Sequence, residues 1–171
     1  MALAETTPEG LKEYEQRFVD EAWNSGNYDI IEKSISEDYV GHWFDIESEE
    51  VDRAGLKAFI QSARDGFSDF HMGVEFMLAE DHMVAVGFTV EGTHDGEFMG
   101  IPPTDEFGSS PGILVHKFDD EGMVVEGWAV WDALGQMQQL GVVPESFTLG
   151  SFLETGANLA KQDVLERTKG E

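Results

Sequence analysis

Met123–Gly141 reads MVVEGWAVWDALGQMQQLG, and its apolar period changes half-way along. Up to Asp132, the residues Val124, Glu126, Trp128, Val130 and Asp132 share one side at period two, the spacing of a strand. Beyond it, Leu134, Met137 with Gln138, and Leu140 recur at helical spacing. A carboxylate therefore stands where a strand ends and a helix begins, with Trp128 on the same face. Two roles compete for it. If that face looks into a pocket, desolvation makes Asp132 a better base near neutral pH. If it does not, Asp132 is the N-cap of the helix that follows.

Upstream, Thr6 or Thr7 can cap a first helix with Pro8 in its first turn, and Leu11, Tyr14, Phe18, Ala22 and Trp23 form its apolar stripe. Gly26 ends it, and a short second helix from Asn27 turns Ile30, Ile31 and Ile35 inward. Asp38–Asp45 is a brief extended piece carrying His42, Trp43 and Phe44, and Ser48–Gly66 reads as a third helix. Phe70, Met72, Val74, Phe76 and Leu78 alternate as a strand, and Val84, Val86, Phe88 and Val90 as the next. Asp95-Gly96 is a hairpin signal. Phe98–Thr104 contains two prolines, which suits an edge or a loop across a cavity mouth. Gly112–Phe118 and Met123–Asp132 complete the strands. Three helices followed by four or five antiparallel strands predict an α+β fold, a curved sheet wrapped around helices into a cone with a cavity inside. One domain is expected over 1–144, with 145–171 an extension whose Leu159–Arg167 is helical in pattern.

The charge is the unusual part of the composition. Thirty-five acidic residues against ten basic ones give −25, spread through every segment. Such self-repulsion is tolerable where high salt screens it to a few Å, so the composition is read as that of a halophile's protein. No basic stripe exists to neutralise phosphates, which argues against nucleic acid. There are no cysteines, no apolar run of membrane-spanning length and no basic-plus-apolar start of a signal peptide, so a soluble, cytoplasmic protein is expected. No His-x-x-x-His or His-x-His pair points to a metal. There is no Gly-x-Ser-x-Gly elbow, P-loop or dinucleotide fingerprint.

Four pieces in this order carry a resemblance: Asp38-Tyr-Val-Gly-His42, Thr93-His94-x-Gly96-x-Phe98-x-Gly100-Ile-Pro-Pro-Thr104, Glu126-x-Trp128-x-x-x-Asp132, and Gln139-Leu-Gly141. Over about residues 11–142 the chain resembles the SnoaL-like polyketide cyclase (ester cyclase) group of the nuclear-transport-factor-two-like fold. The resemblance implies a cone fold, often dimeric through the open sheet face, with no metal or organic cofactor. It also implies an acid/base aspartate at the position of Asp132, acting in an intramolecular aldol closure. Two departures stand out. Asp105-Glu106 follow Pro-Pro-Thr where Gly and a basic residue are usual, and Asp119-Asp-Glu-Gly122 replaces an Asp-Gly-Lys hairpin.

The expected site comprises Asp132. His42 and Trp43 are adjacent and point to opposite faces, and the resemblance favours His42 inward beside Phe44, with Trp43 turned away. His116 is a second polar group whose face depends on a single bulge residue in the Asp119–Gly122 turn. Trp128, Phe44, His94 and Phe18 are expected to bind the ligand, and Trp131 faces the opposite way from Trp128. The activity expected is acid/base cyclisation or isomerisation of a small hydrophobic carbonyl compound, without a cofactor, in a homodimer. The alternative is a non-catalytic binding or dimerisation module on the same fold.

Overall fold

The computed structural model describes residues 4–43, 50–146, 148, 150, 151, 153 and 155–157. The predicted tail helix and Phe44 lie outside the described residues. Helix α1, Pro8–Phe18, starts at Thr7, whose hydroxyl accepts from Gly10 N. It buries Leu11, Tyr14, Glu15 and Phe18, then widens into a π-helix, Val19–Asn24, that brings Trp23 over the sheet. Gly26, at φ +68°, takes the left-handed turn that ends this helical run. Helix α2 is Asp29–Ser34, and Ile35, expected as its last inward residue, begins the first strand instead.

Strands β1 (Ile35–Trp43), β2 (His71–Glu80), β3 (Met83–Thr93), β4 (Phe107–Phe118) and β5 (Val124–Trp131) form one sheet in the order β1-β5-β4-β3-β2. The fold is α+β, with a curved, unclosed sheet and helices on its inner face, as the pattern predicts. One pairing differs. The brief extended piece is a nine-residue strand, and it runs parallel to β5 as the sheet edge. The reason is connectivity: α3 (Arg53–Gly66) separates β1 from β2, so β1 meets the sheet only through its last strand. Among the described residues α3 begins later than the sequence suggests, capped by the Asp52 carboxylate on Gly55 N at 2.7 Å.

The core lies between sheet and helices. Ile30, Ile31, Ile35, Ile60, Val84, Val86 and Val124 are fully buried there. Asn24 ties the helical layer to the far edge, its side-chain amide donating to Met72 O at 3.0 Å and accepting from Met72 N at 2.8 Å. At the other end α4, Ala133–Gln139, folds back over β4. Gln139 clamps it by accepting from Ser109 N and donating to Ser109 O, Leu140 is buried beneath, and Gly141 turns away at φ +69°. These contacts give the Gln-Leu-Gly piece a physical purpose. No helix among the described residues is long and apolar enough to cross a membrane.

Candidate functional site

A cavity of about 80 Å³ opens between the bent sheet and the helices, with room for a compound of about two rings. Its walls are aromatic: Phe18, Trp23, Trp43, Phe59, Phe88 and Trp131 all border it. The loop after β3 supplies Phe98, which is 4 % exposed and held by the Phe98–Ile101 bridge over Met99 and Gly100, both at positive φ. The proline-rich segment forms none of the sheet's strands, and of Phe98–Thr104 only Phe98 reaches the cavity wall.

Strand parity decides which polar groups see this space. β4 turns Leu114, His116 and Phe118 inward, and β5 turns Gly127, Ala129 and Trp131 inward. His116 is 5 % exposed and borders the cavity, its ring edge-on to Phe18. Its Nδ1 lies 2.7 Å from Oε1 of Glu15, which is fully buried on α1. Oε2 of Glu15 has no partner among the described residues. With Nδ1 engaged by the carboxylate, Nε2 is the ring nitrogen left for a ligand. Sequence reading did not single out Glu15. Its signal was its position, four residues after Leu11 and three before Phe18, inside the apolar stripe.

Asp132, His42 and His94 fall elsewhere, and two orientations need correcting. Asp132 is exposed and takes the capping role: Oδ1 accepts from Gly135 N at 2.8 Å, and its carbonyl accepts from Ser110 Oγ. A Cβ on Gly135 would stand 2.2 Å from Asp132 Oδ2, so a larger residue there would turn the exposed carboxylate. The carboxylate borders a shallow groove on the outer sheet face, beside Phe76, Ile113 and Val130, and not the aromatic cavity. His42 also faces outward, while Trp43 lines the cavity, the reverse of the expectation. The parallel register that pairs Gly41 with Gly127 puts Tyr39, Gly41 and Trp43 on the inner side. His42 instead stacks on Trp128, with ring centroids 5.3 Å apart, and bonds Glu126 at 3.0 Å. That bond, helped by Lys117, holds the Glu126 carboxyl below its ordinary pKa. Trp128 borders the cavity through β5, but its indole belongs to this outer cluster.

Phe18, expected to bind the ligand, borders the cavity. His94 does not border it. It is fully buried, its Nδ1 meets Thr104 Oγ1 at 3.1 Å, and its carbonyl accepts from Thr104 N and Asp105 N. It staples the loop that carries Phe98. Burial pushes the His94 pKa below its ordinary value, against the opposing pull of Asp95 and Asp105. Among the described residues no group of three or more His, Asp or Glu is placed to hold a metal ion.

Comparison with known proteins agrees with this architecture. The family model for SnoaL-like polyketide cyclases matches residues 14–140. The chain is 32% identical to AclR of Streptomyces galilaeus, described as a candidate hydroxylase, covering 81% of this chain and 100% of that one at TM-score 0.71. IdmH of Streptomyces antibioticus, described as a candidate polyketide cyclase, is 27% identical over 77% of this chain and 99% of its own, at TM-score 0.67. A SnoaL-like structure from Jannaschia sp. CCS1 shares the fold at 23% identity and TM-score 0.71, with 80% of this chain and 94% of that one covered. No curated protein matches. The fold is of the nuclear-transport-factor-two-like class, a cone with a cavity under a bent sheet. Within that class the chain belongs to the SnoaL-like polyketide cyclase family.

Two outcomes follow from the placement of Asp132 and His94. Asp132→Asn keeps a good cap and is expected to leave both thermal stability and turnover unchanged, whereas Asp132→Ala costs about 1 kcal/mol in urea unfolding. Turnover lost in Asp132→Asn at unchanged stability would return the acid/base role to that residue. For His94, the folded state favours the neutral ring, so the unfolded chain takes up a proton first as pH falls. The stability this contributes is complete above the ordinary pKa of 6.5 and declines as pH drops below it. Urea unfolding between pH 7.5 and 5 (roughly the histidine window) should show a shallower loss in His94→Asn than in the parent.

Proposed function

We propose that this chain is an acid/base catalyst for an enolisable, hydrophobic carbonyl compound, with the Glu15–His116 pair as the proton-transfer group. The observation that carries the reading is a 2.7 Å histidine–carboxylate hydrogen bond, buried at both ends, on the wall of an otherwise aromatic cavity. His116 Nδ1–H donates to Glu15, which fixes the tautomer and ring orientation and stabilises the imidazolium that forms. Nε2 takes a proton from a carbon next to a carbonyl. The resulting enolate carbon attacks a second carbonyl of the same molecule, and the new alkoxide recovers the proton from Nε2. Without a second carbonyl in reach, returning the proton to another carbon gives an isomerisation. Family membership supports a polyketide-like substrate, and the cavity's size supports a compound of few rings. The acidic, cysteine-free composition supports a salt-rich cytoplasmic setting.

A homodimer through the outer sheet face forms part of the same reading. Phe76, Leu78, Ile113 and Val130 are exposed there on β2, β4 and β5, with the small residues Ala85 and Gly87 of β3 between them. The polar groups Lys117 and Glu126 flank them at one end, and Thr89 and Asp132 at the other. Apolar side chains grouped in this way on a sheet face suit a second copy of the same face.

Thermal-shift screening of β-dicarbonyl and polycyclic compounds supplies a substrate. On it, His116→Gln is expected to reduce turnover by roughly 10²–10⁴-fold. Full turnover in that variant defeats the proposal. The product should keep the substrate's mass, or lose water after ring closure; a gain of one oxygen would instead align the chain with the hydroxylase description of AclR. For the assembly, light scattering after gel filtration should give a dimer whose fraction rises with KCl, because chains of −25 repel. Ile113→Glu should give a monomer, and a parent that is monomeric at every salt concentration rules the dimer out.

A further inference from the structure

Beside the Glu15–His116 pair stands a polar group that proton transfer leaves without a task. Tyr39 is 3 % exposed and borders the cavity, and its hydroxyl has no hydrogen-bond partner among the described residues. Tyr14, the neighbouring buried tyrosine, is different: its hydroxyl meets Ser34 Oγ at 2.7 Å. A hydroxyl on the cavity wall with no partner inside the protein has its donor free for a bound molecule.

The surroundings of Tyr39 are built for its ring. Gly41 and Gly127 pair across the parallel β1–β5 ladder, and the phenol lies against both. A Cβ on Gly41 would stand 3.0 Å from the Tyr39 hydroxyl. A Cβ on Gly127 would stand 2.4 Å from that hydroxyl and 3.0 Å from Cδ2 of His116. Two glycines side by side therefore make the floor on which the phenol and the imidazole edge converge. Burial, together with the negative charge of Glu15, pushes the phenol's pKa up, so it stays a neutral donor at any ordinary pH.

We propose that Tyr39 donates the hydrogen bond that holds the substrate's carbonyl oxygen while His116 works on the adjacent C–H. This rests on the acid/base reading of His116. The C–H proton passes to Nε2, its electron pair becomes the C=C bond, and the carbonyl π pair moves onto oxygen. That oxygen, now an enolate, accepts from the Tyr39 O–H, a bond that strengthens as the charge develops. The ligand class so defined is an enolisable ketone with oxygen and acidic carbon on neighbouring atoms, flanked by flat apolar rings that the aromatic walls accept.

The test uses 2-tetralone, a two-ring enolisable ketone, and tetralin, which lacks the oxygen. Affinities come from quenching of the cavity tryptophans, and exchange of the ketone's α-protons in D2O is followed by NMR. In Tyr39→Phe the ketone-to-hydrocarbon affinity ratio should fall about tenfold. Exchange should slow by about 10²-fold, with tetralin affinity and Tm unchanged. A ratio unaltered by Tyr39→Phe overturns the proposal, as does a drop in Tm with the ratio intact, which would make the hydroxyl structural. His116→Gln separates the two readings, since it should abolish exchange while leaving the affinity ratio alone. Parent-like exchange in His116→Gln defeats the proton-transfer reading, and the ratio still decides Tyr39.

Discussion

The pairing of β4 with β5 is the constraint on which the site depends. It places His116 opposite Gly127 and so turns the imidazole toward Glu15 instead of toward solvent. The hairpin reaches that register by two one-residue shifts. Phe118 pairs with Val124, and a bulge then pairs Lys117 with Glu126. Either shift alone would reverse the face of every side chain on one strand relative to the other, because side chains alternate with period two. Together they restore it. His116 therefore lies across the sheet from Asp132, and the two cannot share a pocket.

The rest of the inner face follows from that register. Gly127, opposite His116, leaves room for Tyr39 from the parallel edge strand, and Ala129 and Trp131 extend the wall toward α4. The aromatic lining surrounds the few polar groups inside with apolar surface, which strengthens the interactions they make. The contrast with the exterior is steep. Among the described residues of a chain of net charge −25, a single carboxylate, Glu15, is fully buried in this interior, and there it meets a histidine. A buried charge needs such a partner, so the pair serves the fold before it serves any reaction.

Several elements were legible in the sequence because their causes are local. The helix stripe of Leu11, Tyr14 and Phe18, the strand alternation from Met72 to Val90, and the loop forced by two prolines all depend on neighbours within a few residues. The site was less legible. Glu15 occupied the apolar stripe, but one acid among 35 does not stand out in a chain this acidic. Strand alternation showed that His42 and Trp43 face opposite ways, and only the parallel pairing with β5 settled which one is inside. At Asp132 the cap and the pocket were both open, since a strand-to-helix junction has the same sequence signature in either case.

By itself the sequence determined the class of fold, the aromatic character of the interior, the acidic surface and the positions where strands must break. Those properties come from period, composition and turn chemistry, which act over short stretches of chain. Only the tertiary structure decided which polar groups meet. Glu15 and His116 are 101 residues apart in the chain, and Tyr39 reaches them through a parallel register that no local pattern encodes. Registers between distant strands depend on turn lengths and single bulges, and one residue more or less moves a side chain from cavity to solvent. The stretch from Met123 to Gly141 remains the hinge of the molecule, with Gly127 at the cavity and Asp132 holding the helix that closes its end.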